Sequence, residues 1–155
     1  MDGNRTIKVN FSLYAPEASA LAGCVRELRQ GGVKAREGTV IRAILHAATA
    51  KDMVARCATL TTDLALNGGP AWGSSTGSST ADVLVTDVRK MDAVIDQLAR
   101  ANITATRSFI LRALLLSAPA GRPLVALVTG FLEKFPYKPR GLSKLRLEAK
   151  ARRHG

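Results

Sequence analysis

Residues 25–48, VRELRQGGVKAREGTVIRAILHAA, lie over residues 95–118, IDQLARANITATRSFILRALLLSA, at an offset of 70 with no gap. Leu28/Leu98, Ala35/Ala105, Arg42/Arg112, Ala43/Ala113, Leu45/Leu115 and Ala48/Ala118 are identical, and Val25/Ile95, Val33/Ile103, Val40/Ile110, Ile41/Leu111 and Ile44/Leu114 are apolar exchanges. A fixed offset through a block the size of two short helices means that one supersecondary unit occurs twice. The segment upstream of each copy reads as a short strand, so two strand-helix-helix units on one chain can pair as the subunits of a symmetric dimer would.

The first strand is the clearer of the two. In TIKVNFSL, residues 6–13, Ile7, Val9, Phe11 and Leu13 face one side and Lys8, Asn10 and Ser12 the other, a period-two pattern with β-branched and aromatic members. Ala15-Pro16-Glu17 opens a helix with Ala18, Leu21, Val25 and Leu28 as its apolar stripe, and Gly31-Gly32 ends it. A second helix starts near residue 36, and a third stretch spaces Val54, Cys57, Leu60 and Leu64 helically. Residues 68–80, GGPAWGSSTGSST, read as a flexible linker in which Trp72 pins the chain to the body. The second copy is expected from about Asp82, with a strand-to-helix step about two residues shorter. Asp87 is expected as an N-cap, Met91, Val94, Ile95 and Leu98 as a stripe, Asn102 as the helix end and Thr104 as the next cap. A helix carrying Leu124, Leu127, Val128, Phe131, Leu132 and Phe135 follows Pro119 and Pro123, so both copies are consistent with β-α-α-α. The expected organisation is therefore unit 1 over 5–67, linker over 68–80, unit 2 over 81–135 and a basic tail over 136–155.

Charge narrows the choice of partner. The chain has 23 Lys and Arg against 12 Asp and Glu, and residues 119–155 alone carry nine basic and two acidic groups. A lopsided basic balance favours polyanions. Lys138, Arg140, Lys144, Arg146, Lys150, Arg152 and Arg153 are the electrostatic contributors of the tail, which is expected to order on its partner. Cys24 and Cys57 have no metal-ligand spacing and behave as small hydrophobes, which points to a reducing cytoplasm. No apolar run approaches the roughly 20 residues of a membrane span. His46 reads as a core-edge residue, Glu17, Glu27 and Glu37 as surface charges, and no nucleophile, P-loop or zinc motif occurs. A non-enzymatic protein without a cofactor is expected.

Duplex DNA offers a mechanism that uses these residues. A two-stranded antiparallel ribbon fits the major groove, and its outward side chains reach base edges. On the first strand those are Lys8, Asn10 and Ser12: lysine donates to guanine, asparagine pairs with adenine and serine adapts. The start of each second helix is suited to phosphate, with Lys34 and Arg36 in one copy and Thr104, Thr106, Arg107 and Ser108 in the other, joined by Arg5. Arg42 and Arg112 match between copies but stand mid-helix and are left out of the site.

The KVNFSL strand, the helix, the glycine-bearing turn and the second helix together resemble the ribbon-helix-helix family, of the Arc and MetJ type. The chain is most similar to its single-chain duplicated form, found among accessory factors of T-DNA and conjugal transfer. The resemblance implies an α+β, mostly helical fold: two tandem ribbon-helix-helix units forming a single-chain, monomeric pseudo-dimer with a two-stranded antiparallel ribbon. It also implies sequence-specific binding of double-stranded DNA, with a relaxase or another transfer protein as a further partner and no membrane. Carried over by position, the second base-reading set is Asp82, Leu84 and Thr86; Asp82 repels phosphate and Leu84 offers only an apolar contact, so Leu84 and Thr86 are the expected readers and the target is expected to be non-palindromic. The alternatives are a transcriptional repressor or plasmid-maintenance regulator, and a module whose basic tail docks a protein. Binding of single-stranded RNA is disfavoured by the scarcity of aromatic side chains.

Overall fold

The computed structural model describes residues 5–68 and 77–136. Along the chain run β1 (Thr6–Leu13), α1 (Ala15–Gln30), α2 (Glu37–Ala47), α3 (Ala50–Asn67), β2 (Gly77–Leu84), α4 (Val85–Arg100), α5 (Arg107–Leu116) and α6 (Arg122–Lys134). The described residues form six helices and one two-stranded antiparallel sheet. This corrects the expectation of two tandem ribbon-helix-helix units. Two such units would supply about four helices, whereas three helices accompany each strand of the one ribbon. The ribbon is single because each half owns one strand, whose backbone groups are satisfied by the strand of the other half. The third helices are also structural, because Met53, Cys57 and Leu60 of α3 and Leu124, Val128 and Phe131 of α6 are buried in the same core.

The helix ends follow local chemistry, and they repeat. At the end of α1, Gly32 has φ +84 and at the end of α4 Asn102 has φ +61. Gly32 N–H donates to Arg29 O and Val33 N–H to Leu28 O; Asn102 N–H donates to Ala99 O and Ile103 N–H to Leu98 O. Both are Schellman caps, and they place glycine and asparagine at the left-handed position those residues tolerate best. Helix α3 starts on a capping box between Thr49 and Asp52. For α5 the N-cap is Thr106, whose hydroxyl accepts from Phe109 N–H, and not Thr104, which lies exposed two residues upstream. Asp87 is likewise inside α4, not at its cap, which is Leu84.

The core is one cluster drawn from both halves. Phe11, Leu21, Leu28, Ile41, Leu45, Met53, Leu84, Met91, Leu98, Ile110, Leu111 and Leu124 are its largest fully buried side chains. Burying each of these contributes about 1.5–3 kcal/mol. One ion pair lies within this core. Glu17, expected at the surface, is 1% exposed and accepts from Arg112 Nε, itself 4% exposed. The Arg112 guanidinium also lies 4.4 Å from the centroid of the Tyr14 ring. The pair joins α1 of the first half to α5 of the second. The 70-residue counterparts of the pair are Asp87 and Arg42, and they are arranged differently. Asp87 Oδ2 is 3.0 Å from His46 Nδ1 and Asp87 Oδ1 is 3.2 Å from Lys90 Nζ, while the Arg42 guanidinium sits 5.1 Å from the centroid of Phe131. Lys90 Nζ also donates to Leu45 O at 2.8 Å and Ala48 O at 2.6 Å, closing the end of α2 from α4.

Replacing Glu17 by alanine leaves the Arg112 charge buried without its carboxylate and is expected to cost about 3–5 kcal/mol, read as a lower urea midpoint. Replacing Glu17 and Arg112 together by methionine is expected to recover most of that loss. Burial pushes the Cys24 thiol up and the Cys57 thiol up to about 12. Cys57 is therefore expected to react with a thiol reagent at pH 8 only as fast as the chain opens, and at once in denaturant.

Candidate nucleic-acid interface

Strands β1 and β2 pair in the register Thr6↔Leu84, Lys8↔Asp82, Asn10↔Thr80 and Ser12↔Ser78. Val85 N–H donates to Arg5 O at 2.9 Å. Alternation from that pair makes Lys8/Asp82, Asn10/Thr80 and Ser12/Ser78 non-hydrogen-bonded pairs, whose side chains stand closest and whose own N–H and C=O groups point to the free edges. Val9, Phe11 and Leu13 on β1 and Ser79, Ala81 and Val83 on β2 face the helices and are buried, while Lys8, Asn10, Ser12, Ser78, Thr80 and Asp82 are exposed on the other side. Across the middle of that face the Thr80 hydroxyl donates to Asn10 Oδ1 at 3.1 Å.

The first turn of each second helix meets the ribbon at the strand of the opposite half. On the β1 edge Ser12 N–H donates to Ser108 Oγ of α5 at 2.9 Å. On the β2 edge the Ser79 hydroxyl donates to Glu37 Oε2 of α2 at 3.1 Å, and a Cβ added at Gly38 would stand 3.3 Å from Thr80 O. Gly38 therefore permits the close approach of α2 to the strand. Each edge is thus met by a helix at one position, Ser12 on β1 and Thr80 on β2.

Of the residues expected to read bases, Lys8, Asn10 and Ser12 lie on the exposed face, beside Asp82, which was not expected among the readers. Leu84 and Thr86 do not. Leu84 is 2% exposed, part of the core at the end of β2, and Thr86 is the second residue of α4. The error lies in the start of the second strand. Strand β2 begins at Gly77, inside the stretch read as linker, and its inward positions Ser79, Ala81 and Val83 stand 70 residues after Val9, Phe11 and Leu13. The offset of the repeat runs unbroken through the strand. Carrying it upstream would have placed Ser78 and Thr80 on the outer face beside Asp82. Hydrophobicity gave no such signal, because serine and alanine occupy two of the three buried positions.

The phosphate candidates divide. Arg5 is exposed just before β1, and Lys34 and Arg36 are exposed in the segment entering α2, where Arg36 is the N-cap residue and makes no side-chain cap. Their counterparts entering α5 are Thr104 and Thr106, and the Thr106 hydroxyl is engaged in the cap. Arg107 is held by Asp92 through two hydrogen bonds of 2.9 Å, from Nε and from Nη2. The hydrogen bond from Arg107 holds the Asp92 carboxyl below its usual range, against a smaller opposing effect of burial. Trp72 and the tail residues Lys138, Arg140, Lys144, Arg146, Lys150, Arg152 and Arg153 lie outside the described residues. Among the described residues no group of His, Cys, Asp and Glu side chains converges as a metal site would, and no helix is long and apolar enough to cross a membrane.

Comparison with protein-family models, with curated proteins and with solved structures finds no match to this chain.

Two outcomes test this geometry. Replacing Ser108 by alanine removes the acceptor of Ser12 N–H, so the Ser12 amide is expected to exchange hydrogen faster than in the parent, with a global cost near the low end of about 0.5–1.5 kcal/mol because water reaches the edge. The folded-state pKa of Asp92 is lowered, so its contribution to stability is present above the carboxylate's unfolded value and is lost as pH falls through the lowered one. Replacing Asp92 by asparagine is expected to flatten that acid limb in urea titrations by a small amount, since the pair is exposed.

Proposed function

We propose that this chain binds double-stranded DNA by laying the outer face of the β1–β2 ribbon in the major groove. The observation that carries the reading is that face itself: six polar side chains of moderate length, Lys8, Asn10, Ser12, Ser78, Thr80 and Asp82, alternate across a two-stranded antiparallel ribbon. The major groove admits an element of that width, and lysine, asparagine, serine and threonine make hydrogen bonds to base edges there. Arg5, Lys34 and Arg36 supply cations beside the ribbon for phosphate, which positions a protein without specifying sequence. The tail adds seven Lys and Arg residues from Lys138 to Arg153, a source of affinity that weakens with salt. A function as a binding protein follows, with a transfer origin or border as the setting the family resemblance suggests and a promoter as the other.

The test is selection of bound duplexes from a random pool at physiological salt, with the parent chain and with Lys8→Ala/Asn10→Ala. The parent is expected to enrich a defined motif and the double variant to lose it; if the parent enriches none, the proposal fails. Glutamine at Lys144, Arg146, Lys150, Arg152 and Arg153 is expected to weaken binding of all duplexes and make its salt dependence shallower while leaving the motif unchanged. Placement of the motif beside a transfer origin or over a promoter then identifies the process.

A further inference from the structure

The ribbon contains its own local twofold axis. Asn10 and Thr80 stand 70 residues apart in the repeat and are also direct cross-strand partners, so the axis passes between them. It relates Lys8 to Ser78 and Ser12 to Asp82. The two ends of the outer face are therefore equivalent in backbone and different in chemistry. One end presents Lys8 opposite Asp82, and the other presents Ser12 opposite Ser78. Arg5 lies at the Lys8 end, beyond Thr6 and opposite Val85. The segment entering α2, on the β2 edge, carries Lys34 and Arg36, whereas the equivalent segment on the β1 edge carries Thr104 and Thr106.

The carboxylate is the informative group. On a surface that meets a polyanion, an exposed aspartate weakens binding everywhere except where it accepts a hydrogen bond from a base. The one base edge in the major groove that offers only a donor is the N4 amino group of cytosine, and the guanine paired with it offers the N7 and O6 acceptors that suit a lysine. Lys8 and Asp82 stand directly opposite each other on adjacent strands, in the closer class of cross-strand pair. A donor and an acceptor at that spacing match the two halves of a single G·C pair.

We propose that the Lys8–Asp82 pair specifies one G·C base pair, with Lys8 donating to guanine and Asp82 accepting from cytosine, and that the Ser12–Ser78 end is permissive, so the protein occupies its site in a single orientation. This rests on the reading of the ribbon as a DNA-binding face. It predicts more than an asymmetric motif: the strongest G·C preference lies to one side of the motif centre and has no mirror image.

The test is duplex selection with the parent, Asp82→Ser and Lys8→Ala, each checked for an unchanged circular dichroism spectrum and followed by titration on the parent motif and on a duplex with the G·C pair replaced by A·T. The parent is expected to prefer the G·C duplex by about 5- to 100-fold. Asp82→Ser is expected to lose most of that preference while binding random duplexes as tightly as the parent or more tightly, because a charge repelled by phosphate is gone. Lys8→Ala is expected to lose the same preference and bind random duplexes more weakly. If Asp82→Ser keeps the parent motif and simply binds every duplex better, Asp82 is only a counter-charge to Lys8 and the inference is overturned. A palindromic parent motif overturns it as well, with the DNA reading intact. If the parent enriches no duplex, the DNA reading fails and takes this inference with it.

Discussion

Among the described residues, neither strand has a partner in its own half. An isolated strand leaves a row of backbone donors and acceptors unpaired, and pairing β1 with β2 is what satisfies them. The other long-range contacts are arranged around that pairing. The first turn of α5 seats on the β1 edge through Ser108, and the first turn of α2 seats on the β2 edge through Glu37 and Gly38. Glu17 and Arg112 then join α1 to α5, and Lys90 joins α4 to the end of α2. Each of these links crosses between halves, or depends on a strand that does. The core is shared for the same reason, with neither half enclosing its own apolar residues.

Equivalent backbones carry inequivalent chemistry in the interior as well as on the ribbon. Glu17 reaches Arg112, but Asp87, shorter by one methylene, is bonded to His46 and Lys90 instead of to the equivalent arginine. Arg42 lies over Phe131, and its Nε has no hydrogen-bond partner among the described residues. A buried pair of this kind is weak evidence for net stability, because desolvation offsets much of the attraction. It does fix which helix faces which, since a misplaced helix would strand a charge in the core. The two ion clusters therefore distinguish the α1–α5 contact from the α2–α4 contact although the apolar stripes around them are nearly interchangeable.

Much of this was legible in the sequence where side chains carry strong local signals. The alternation of Val9, Phe11 and Leu13 gave β1 and its outer face; Gly31-Gly32 and Asn102 gave the ends of α1 and α4. What escaped was governed by contacts distant in sequence. Strand β2 is built largely from glycine, serine and threonine, residues that signal a linker, and it is a strand because β1 lies beside it. Glu17 looks like an ordinary first-turn carboxylate, and only Arg112, 95 positions away, makes it an interior residue. Thr104 and Thr106 are both plausible caps, and the hydrogen bond to Phe109 N–H selects the second.

The linkage of both strands in one polypeptide has a consequence for how this surface responds to mutation. Where two identical subunits form a ribbon, every substitution is imposed at two symmetry-related places, and a change that improves contact with one half of a site is forced on the other half too. Here a substitution at position 8 leaves position 78 untouched, and the opposition of Lys8 to Asp82 coexists with the opposition of Ser12 to Ser78. The free energy of each exchange is counted once, so the two ends of the ribbon can be tuned independently while the backbone geometry that presents them stays twofold.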